Sequence, residues 1–302
     1  MRTPEKPAAA QGTSLAGILY AIGAMTIWGV LPVYWKLCSS VPSIFILSHR
    51  VFWSFLLIMG ILILRKNGSL LSVLRNRRQF ATLCLSGILI GVNWLTYIFA
   101  VNTDRIVESS LGYYINPLFN ILLGLVFLRE RLSKPQIASF ILVIIGVLYQ
   151  SISYGRIPYI AIVLTLSFGF YSLLKKKQKL DSLTSLGVET MVLTPFILCY
   201  SVIQGLKGAP VFGNGSPLVV VLAVLSGVVT TVPLFFYAEG AKRIPLSTMA
   251  FIQYVSPTMM LLIGVLVYGE PFTRVHLVSF SLIWAALIIS GVSISRDVKR
   301  GA

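Results

Sequence analysis

Shifted by 140 residues, the second half of the chain falls on the first without a gap, and both halves consist almost wholly of apolar runs. Gly29 meets Gly169, Lys36 meets Lys176, Ser86-Gly87 meets Ser226-Gly227 and Tyr97 meets Tyr237. Further along, Tyr114, Pro117, Gly124 and Glu130 meet Tyr254, Pro257, Gly264 and Glu270, and Ser139-Phe140 meets Ser279-Phe280. The fold must therefore be two copies of one unit. In lipid such a unit has to satisfy its backbone polar groups internally, which leaves helices as the building element for runs of this length.

A helix needs about 20 apolar residues to cross the hydrocarbon layer. Ten segments qualify, within a few residues at each end: 15–35, 44–64, 80–101, 107–128, 136–152, 158–174, 185–204, 218–240, 245–268 and 275–294. Five per copy is an odd number, so the copies must enter the membrane in opposite orientations. The expected fold class is an all-α membrane protein with ten transmembrane helices, arranged as two inverted five-helix repeats around a central cavity. The repeats are expected at 15–152 and 155–294, between a disordered tail over 1–14 and a second tail over 295–302. The longest connections are 65–79 and 205–217, the latter marked irregular by Pro210, Gly213-Asn214-Gly215 and Pro217.

Only 11% of residues are charged, against about 25% in a typical soluble domain. The net charge of +16 comes from short basic clusters between apolar runs rather than from a basic face interleaved with aromatics, which argues against nucleic-acid binding. Cys38, Cys84 and Cys199 lack paired spacing, so neither a disulfide framework, a metal site nor a cofactor is expected. The first apolar run is too long for a signal-peptide core and reads as a permanent span. There is no His-Glu-x-x-His, no Gly-x-Ser-x-Gly and no aspartate pair within a span, so an enzyme is not expected.

The basic residues also set the orientation. Connections on the side of both termini carry 19 Lys and Arg, including Arg75, Arg77 and Arg78, Arg129 and Arg131, and Lys175, Lys176 and Lys177. Connections on the other side carry five: Lys36, Arg105, Arg156, Lys207 and Arg274. The positive-inside rule then places both termini in the cytoplasm.

Polar groups within spans cost a few kcal/mol each on insertion scales, so they face a cavity or a partner. The first half offers His49, Arg50, Asn93, Trp94, Glu108, Tyr113, Tyr114, Asn116 and Asn120; the second offers Tyr171, Glu189, Thr230, Thr231, Tyr237, Glu239, Gln253, Tyr254 and Ser256. Glu108, Gly112, Asn116 and Asn120 recur every four residues and so share one helix face. That stripe either lines a pathway or makes interhelical hydrogen bonds.

The matched Tyr-x-x-Pro segments, Tyr114 to Pro117 and Tyr254 to Pro257, leave the carbonyls of Tyr113 and Gln253 without helical partners. Interrupted helices at matching places in two repeats point to a transporter's binding site or, more simply, to packing kinks. The expected substrate contacts are Trp94, Tyr113, Tyr114, Asn116, Tyr237, Gln253 and Tyr254, with helix breaks at Pro117 and Pro257. His49, Arg50, Glu108, Glu189 and Glu239 are the expected gating or coupling groups. Arg50 either pairs with Glu108 at an outer gate or meets substrate, because a buried arginine needs an anionic partner. Glu130 and Glu270 stand at span ends and are expected to cap or close the short loops to the next spans.

Ser48 to Phe55, Asn93-Trp94 with Ala100-Val101-Asn102, and Glu108 to Pro117 resemble the drug/metabolite transporter superfamily. So do Glu189-Thr190-Met191, Thr230 to Leu234, Phe251 to Tyr254 and Tyr268-Gly269-Glu270. The likeness spreads over nearly the whole chain and is to the ten-span, two-repeat EamA type, in particular its RarD branch. It implies an inner-membrane permease whose cavity is lined by spans one to four and six to nine, with spans five and ten peripheral. The expected partners are a small-molecule substrate and the bilayer. The expected activity is export of small amphipathic metabolites or drugs by alternating access. A channel-like facilitator and a proton-coupled amino-acid exporter are the alternatives.

Overall fold

A computed structural model describes residues 14–65, 69–128, 134–155, 157–177, 180–207, 216–241, 243 and 252–300. Within them run α1 (Leu15–Leu37), α2 (Ser43–Leu64), α3 (Ser69–Arg75), α4 (Arg77–Asn102), α5 (Ile106–Leu128) and α6 (Lys134–Tyr154). There follow α7 (Tyr159–Lys177), α8 (Ser182–Leu206), α9 (Pro217–Ala241), α10 (Val255–Leu262) and α11 (Arg274–Arg300). A π-helical turn, Ile263–Val267, extends α10. Six helices are long and apolar enough to cross a bilayer: Leu15–Leu37, Ser43–Leu64, Arg77–Asn102, Ile137–Tyr154, Leu183–Leu206 and Pro217–Tyr237. The apolar stretches Tyr159–Lys175, Val255–Val267 and Arg274–Ile289 are shorter. The chain is an all-helical, multi-pass membrane protein.

Three features depart from the sequence reading. The expected connection over 65–79 contains α3, and α4 begins at Arg77 because Asn76 caps it, its side-chain oxygen accepting the Gln79 N–H at 3.1 Å. A cap of this kind starts a helix on polar residues, ahead of the apolar run that announces it. Pro117 does not break its helix, since α5 continues through it from Ile106 to Leu128. Pro257, by contrast, occupies the first turn of α10 after the cap residue Tyr254, where a missing N–H leaves no intrahelical bond unmade. The two prolines that match in sequence thus serve different local structures. Expectations for residues 1–13, 208–215 and 244–251, and for Glu130, fall outside the described residues.

Small residues let backbones approach at the helix crossings, as is usual where lipid offers no hydrophobic drive between helices. A side chain at Gly87 of α4 would meet the Glu189 carbonyl oxygen of α8 at 3.1 Å, and one at Gly227 of α9 would meet the Trp53 carbonyl carbon of α2 at 2.6 Å. Gly29 of α1 accommodates Met259 of α10, and Gly169 of α7 accommodates the Phe119 ring of α5. The last two contacts exchange when 140 is added to one member and subtracted from the other.

The largest buried cluster joins α1, α2, α4, α7 and α8 through Trp35, Val51, Ile58, Trp94, Ile98, Leu164 and Leu186. A second cluster joins α5, α10 and α11 through Leu111, Tyr114, Leu261, Phe280 and Ile283. Helices α6 and α11 pack on each other at Gly146, whose added side chain would meet the Ser279 carbonyl oxygen at 3.2 Å. They turn Ile141, Ile145, Leu148, Leu277 and Ile288 outward, a face suited to lipid.

Candidate functional site

Arg50 stands in the buried stretch of α2 between Ile46 and Val51 and is only 3% exposed. Its guanidinium lies between two indoles, 4.2 Å from the Trp94 ring centroid and 5.1 Å from that of Trp35. A delocalised, weakly hydrated cation is suited to such a slot. The phenols of Tyr34, Tyr97 and Tyr113 lie within its electrostatic reach. The Tyr113 hydroxyl donates to Asn93 Oδ1 at 3.1 Å, and the Asn93 amide donates to the Leu164 carbonyl and to Ser167 Oγ, each at 3.1 Å. One polar network thereby fixes α4, α5 and α7 beside Arg50.

A second charged group lies among α4, α7 and α8. Glu189 is fully buried, and its Oε1 sits 2.6 Å from Lys175 Nζ and accepts the Ser86 hydroxyl at 2.6 Å. The Tyr171 hydroxyl donates to Oε2 at 3.3 Å. Aromatic rings bridge the two groups. Tyr97 meets Tyr113 at 5.9 Å, Tyr113 meets Phe168 at 6.3 Å, and Phe168 meets Tyr171 at 5.8 Å between centroids. Lys175 Nζ completes the column 5.2 Å from the Tyr171 ring. A side branch places Tyr237 beside Trp28 at 5.7 Å, with the Gln253 amide donating to the Tyr237 hydroxyl at 3.0 Å.

The residues singled out from the sequence divide among these groups. Arg50, Trp94 and Tyr113 cluster at one end of the column, Glu189 lies at the other, and Tyr237 with Gln253 forms the branch. Tyr114 and Tyr254 meet, stacked at 6.2 Å and 17°, but they lie in the cluster shared with α11, where Tyr114 also touches Phe280 and Trp284. Asn116 is buried, and neither of its amide atoms has a hydrogen-bond partner among the described residues. His49 accepts the Trp53 indole N–H at 3.2 Å and packs on Phe45. Glu239 pairs with Arg243 one turn along.

Of the two alternatives for Arg50, the ion pair with Glu108 does not form among the described residues. Glu108 accepts the Ile160 N–H at 3.1 Å at the start of α7, an N-terminal position that suits a carboxylate. Gly112, the next residue of its stripe, also packs on α7, lying close against Ala161 while its carbonyl accepts the Thr165 hydroxyl at 2.9 Å. Glu270 caps a helix, though not one beside its own loop. It holds the N-terminus of α5, accepting the N–H groups of Ile106 and Val107 at 2.7 and 2.8 Å. Gly269, with φ +65, allows the turn that directs it there.

Trp35, Tyr97 and Lys175 belong to the column and were not expected there. Trp35 and Lys175 occupy one position of the two copies under the 140-residue shift, but the residues differ and nothing in the sequence marks them. One position on α1 and α7 faces a charged residue of the next helix in each half, with an indole against Arg50 and an ammonium against Glu189.

A family model described as the EamA-like transporter family matches residues 15–152 and again 157–292. The chain belongs to the EamA-like transporter family. It is therefore a membrane transporter rather than an enzyme. Among EamA-like transporters, an uncharacterized transporter of Vibrio cholerae is 43% identical over 277 residues, spanning 91% of this chain and 92% of its own. Protein RarD of Salmonella typhimurium is 41% identical over 276 residues, spanning 90% and 93%. A solved crystal structure at 17% identity shares the fold with a TM-score of 0.61, covering 91% of this chain and 96% of that one.

Proposed function

We propose that this EamA-like transporter is an inner-membrane permease exporting small amphipathic solutes by alternating access. It crosses the membrane ten times as two inverted repeats, 15–152 and 155–294, with both termini in the cytoplasm. A two-fold relation between the halves is supported by the paired contacts Gly29–Met259 and Gly169–Phe119, which exchange under the repeat shift, and inversion follows from an odd number of spans in each copy. The orientation rests on the asymmetry of 19 basic residues to five.

The observation that carries the reading is the buried aromatic column from Arg50 in the first half to the Lys175–Glu189 pair in the second. Carrier pockets combine apolar and aromatic walls with a few polar anchors, and this column supplies both at the junction of the halves. Substrate contacts are assigned to Trp94, Tyr113, Tyr237 and Gln253, with Asn116, Tyr114 and Tyr254 on the flank. Rocking of one half against the other would expose first the Arg50 end and then the Glu189 end. The test is flux in proteoliposomes. A carrier shows saturation and trans-stimulated counterflow, whereas linear flux without counterflow would replace this reading with a channel-like facilitator.

A further inference from the structure

Arg50 is a buried cation whose counter-ion is not supplied by the described protein. Its Nε and Nη1 have no hydrogen-bond partner among the described residues, and neither do the Trp35 indole N–H and the Tyr97 hydroxyl. These are four donor positions on three side chains, each at most 4% exposed, and Trp35 and Tyr97 both neighbour the guanidinium. Buried donors left unmatched cost about 1–3 kcal/mol each, more for a charged one, so the group favours any occupant that brings acceptors.

The other carboxylates are engaged elsewhere. Asp104 pairs with Lys36, Glu108 caps α7, Asp181 caps α8, Glu189 pairs with Lys175, Glu239 pairs with Arg243 and Glu270 caps α5. Glu5 and Glu130 lie outside the described residues, as does the side chain of Asp297. Among the described residues the surroundings of Arg50 are the indoles of Trp35 and Trp94 and the phenols of Tyr34, Tyr97 and Tyr113, with no carboxylate to receive a substrate ammonium, and one face of each indole is occupied by the guanidinium.

We propose that the solute carried by this permease is an organic monoanion, a monocarboxylate with an apolar or aromatic body and no ammonium group, whose carboxylate accepts the hydrogen bonds of Arg50. The inference rests on the permease reading and adds the charge class of the substrate to it. Arg50 is the one Arg or Lys placed inside a span away from its ends, so one negative charge is matched and a dianion such as a phosphomonoester is not. A carboxylate brings two charged acceptor oxygens, and hydrogen bonds from a guanidinium to such oxygens are charge-assisted. The body of the molecule would lie along Tyr97, Tyr113 and Phe168.

The experiment measures binding of matched probes to the purified full chain by thermal shift and by tryptophan fluorescence. Acetate, benzoate and 3-phenylpropionate are compared with acetamide, benzamide and 3-phenylpropanamide, and 3-phenylpropionate also with phenylalanine and phenethylamine. At least one carboxylate should bind roughly tenfold or more tightly than its amide, the order expected when a charge-assisted contact replaces a neutral one. Phenylalanine and phenethylamine should bind more weakly than 3-phenylpropionate. In Arg50→Gln the preference of carboxylate over amide should vanish while amide binding persists. An amide that binds as well as its acid, a zwitterion or amine that binds as well as the anion, or an unchanged preference in Arg50→Gln overturns the proposal and returns Arg50 to a packing role between two indoles. So does failure of every probe to bind. The probe comparison on the unsubstituted chain stands even if Arg50→Gln fails to fold. Saturable flux with counterflow of a neutral or cationic solute would overturn the anion inference while leaving the permease intact, and loss of counterflow for all solutes would remove the permease reading itself.

Discussion

The carboxylate of Glu270 accepts the backbone N–H of Val107, 163 positions earlier in the chain, and so fastens the end of one helix to the start of another. The same side chain takes the neighbouring Ile106 N–H, which satisfies two of the four donors that a helix N-terminus leaves without intrahelical partners. The contact is a clamp between the halves, and the Lys36–Asp104 ion pair lies beside it.

Glu270→Gln should therefore destabilise the fold rather than alter recognition. A glutamine can accept one N–H through its oxygen but presents its own amide to the other, so the expected loss is about 1–3 kcal/mol. Thermal unfolding in detergent measures it, and unchanged probe binding at equal folded amount would accompany it. Desolvation by burial, the largest effect, raises the Glu270 pKa; the Val107 and Ile106 N–H bonds act against this, Asp104 adds to it and Lys36 opposes it. A carboxyl raised in the folded state binds protons more firmly there than in the unfolded chain. Its contribution is then complete below the ordinary glutamate range and declines as pH rises through the folded value. The stability advantage of the natural chain over Glu270→Gln should narrow over that interval, and an advantage that widened with pH would contradict this assignment.

Gly227→Ala should be the more damaging of two otherwise identical substitutions. The added methyl would lie 2.6 Å from the Trp53 carbonyl carbon, a backbone atom held by α2, whereas a methyl at Gly60 meets nothing within 4 Å. Overpacking of this kind costs about 1–3 kcal/mol. Folded yield and melting temperature of Gly227→Ala and Gly60→Ala, measured side by side, check it. Equal values would mean that α2 and α9 separate more easily than their geometry implies.

Lys175→Met should lower stability by about 3–5 kcal/mol, because it strands the fully buried Glu189, and Glu189→Gln should cost less, because the Lys175 side chain it leaves is 26% exposed. The double variant should regain most of the loss, since removing both charges removes the uncompensated one. If the pair also belongs to the gating machinery, the double variant will fold and insert yet show reduced flux. A double variant as unstable as the two single losses combined would show that the charges act independently.

Reporter fusions after residues 70, 178 and 302 should read cytoplasmic, and fusions after 104 and 212 should read extracytoplasmic. The expectation follows from the basic-residue asymmetry and an odd number of spans per copy. Two successive fusions on the same side of one span would remove that span from the count.

Much of this architecture was legible because apolar length reports a membrane helix almost directly. The span expected at 44–64 became Ser43–Leu64, and that at 107–128 became Ile106–Leu128. Features made by polar residues at helix ends were less legible. The start of α4 at Arg77 depends on the side chain of Asn76, and α3 is too short to leave a periodic signal. Arg50, Trp94 and Glu189 could be singled out because charge and indole amid apolar sequence are conspicuous. Lys175 could not, since a lysine at a span end reads as an orientation signal until its distance to Glu189 is known. The partners of Glu108 and Glu270 were misjudged for a related reason. Each carboxylate caps a helix that begins elsewhere in the sequence, and no local spacing encodes that.

The π turn at Ile263–Val267 has no counterpart in the first half, where α5 is α-helical through the corresponding residues 123–127. The π turn is the last turn of its helix, closed by the Tyr268 N–H on the Ile263 carbonyl at 3.1 Å, so the departure between the copies is confined to the helix end. The wide turn passes straight into the Glu270 clamp, since the Glu270 N–H donates to the Gly264 carbonyl inside it at 2.9 Å. In one copy, therefore, the last turn of a helix helps to hold the other copy, an asymmetry between two segments of equal length.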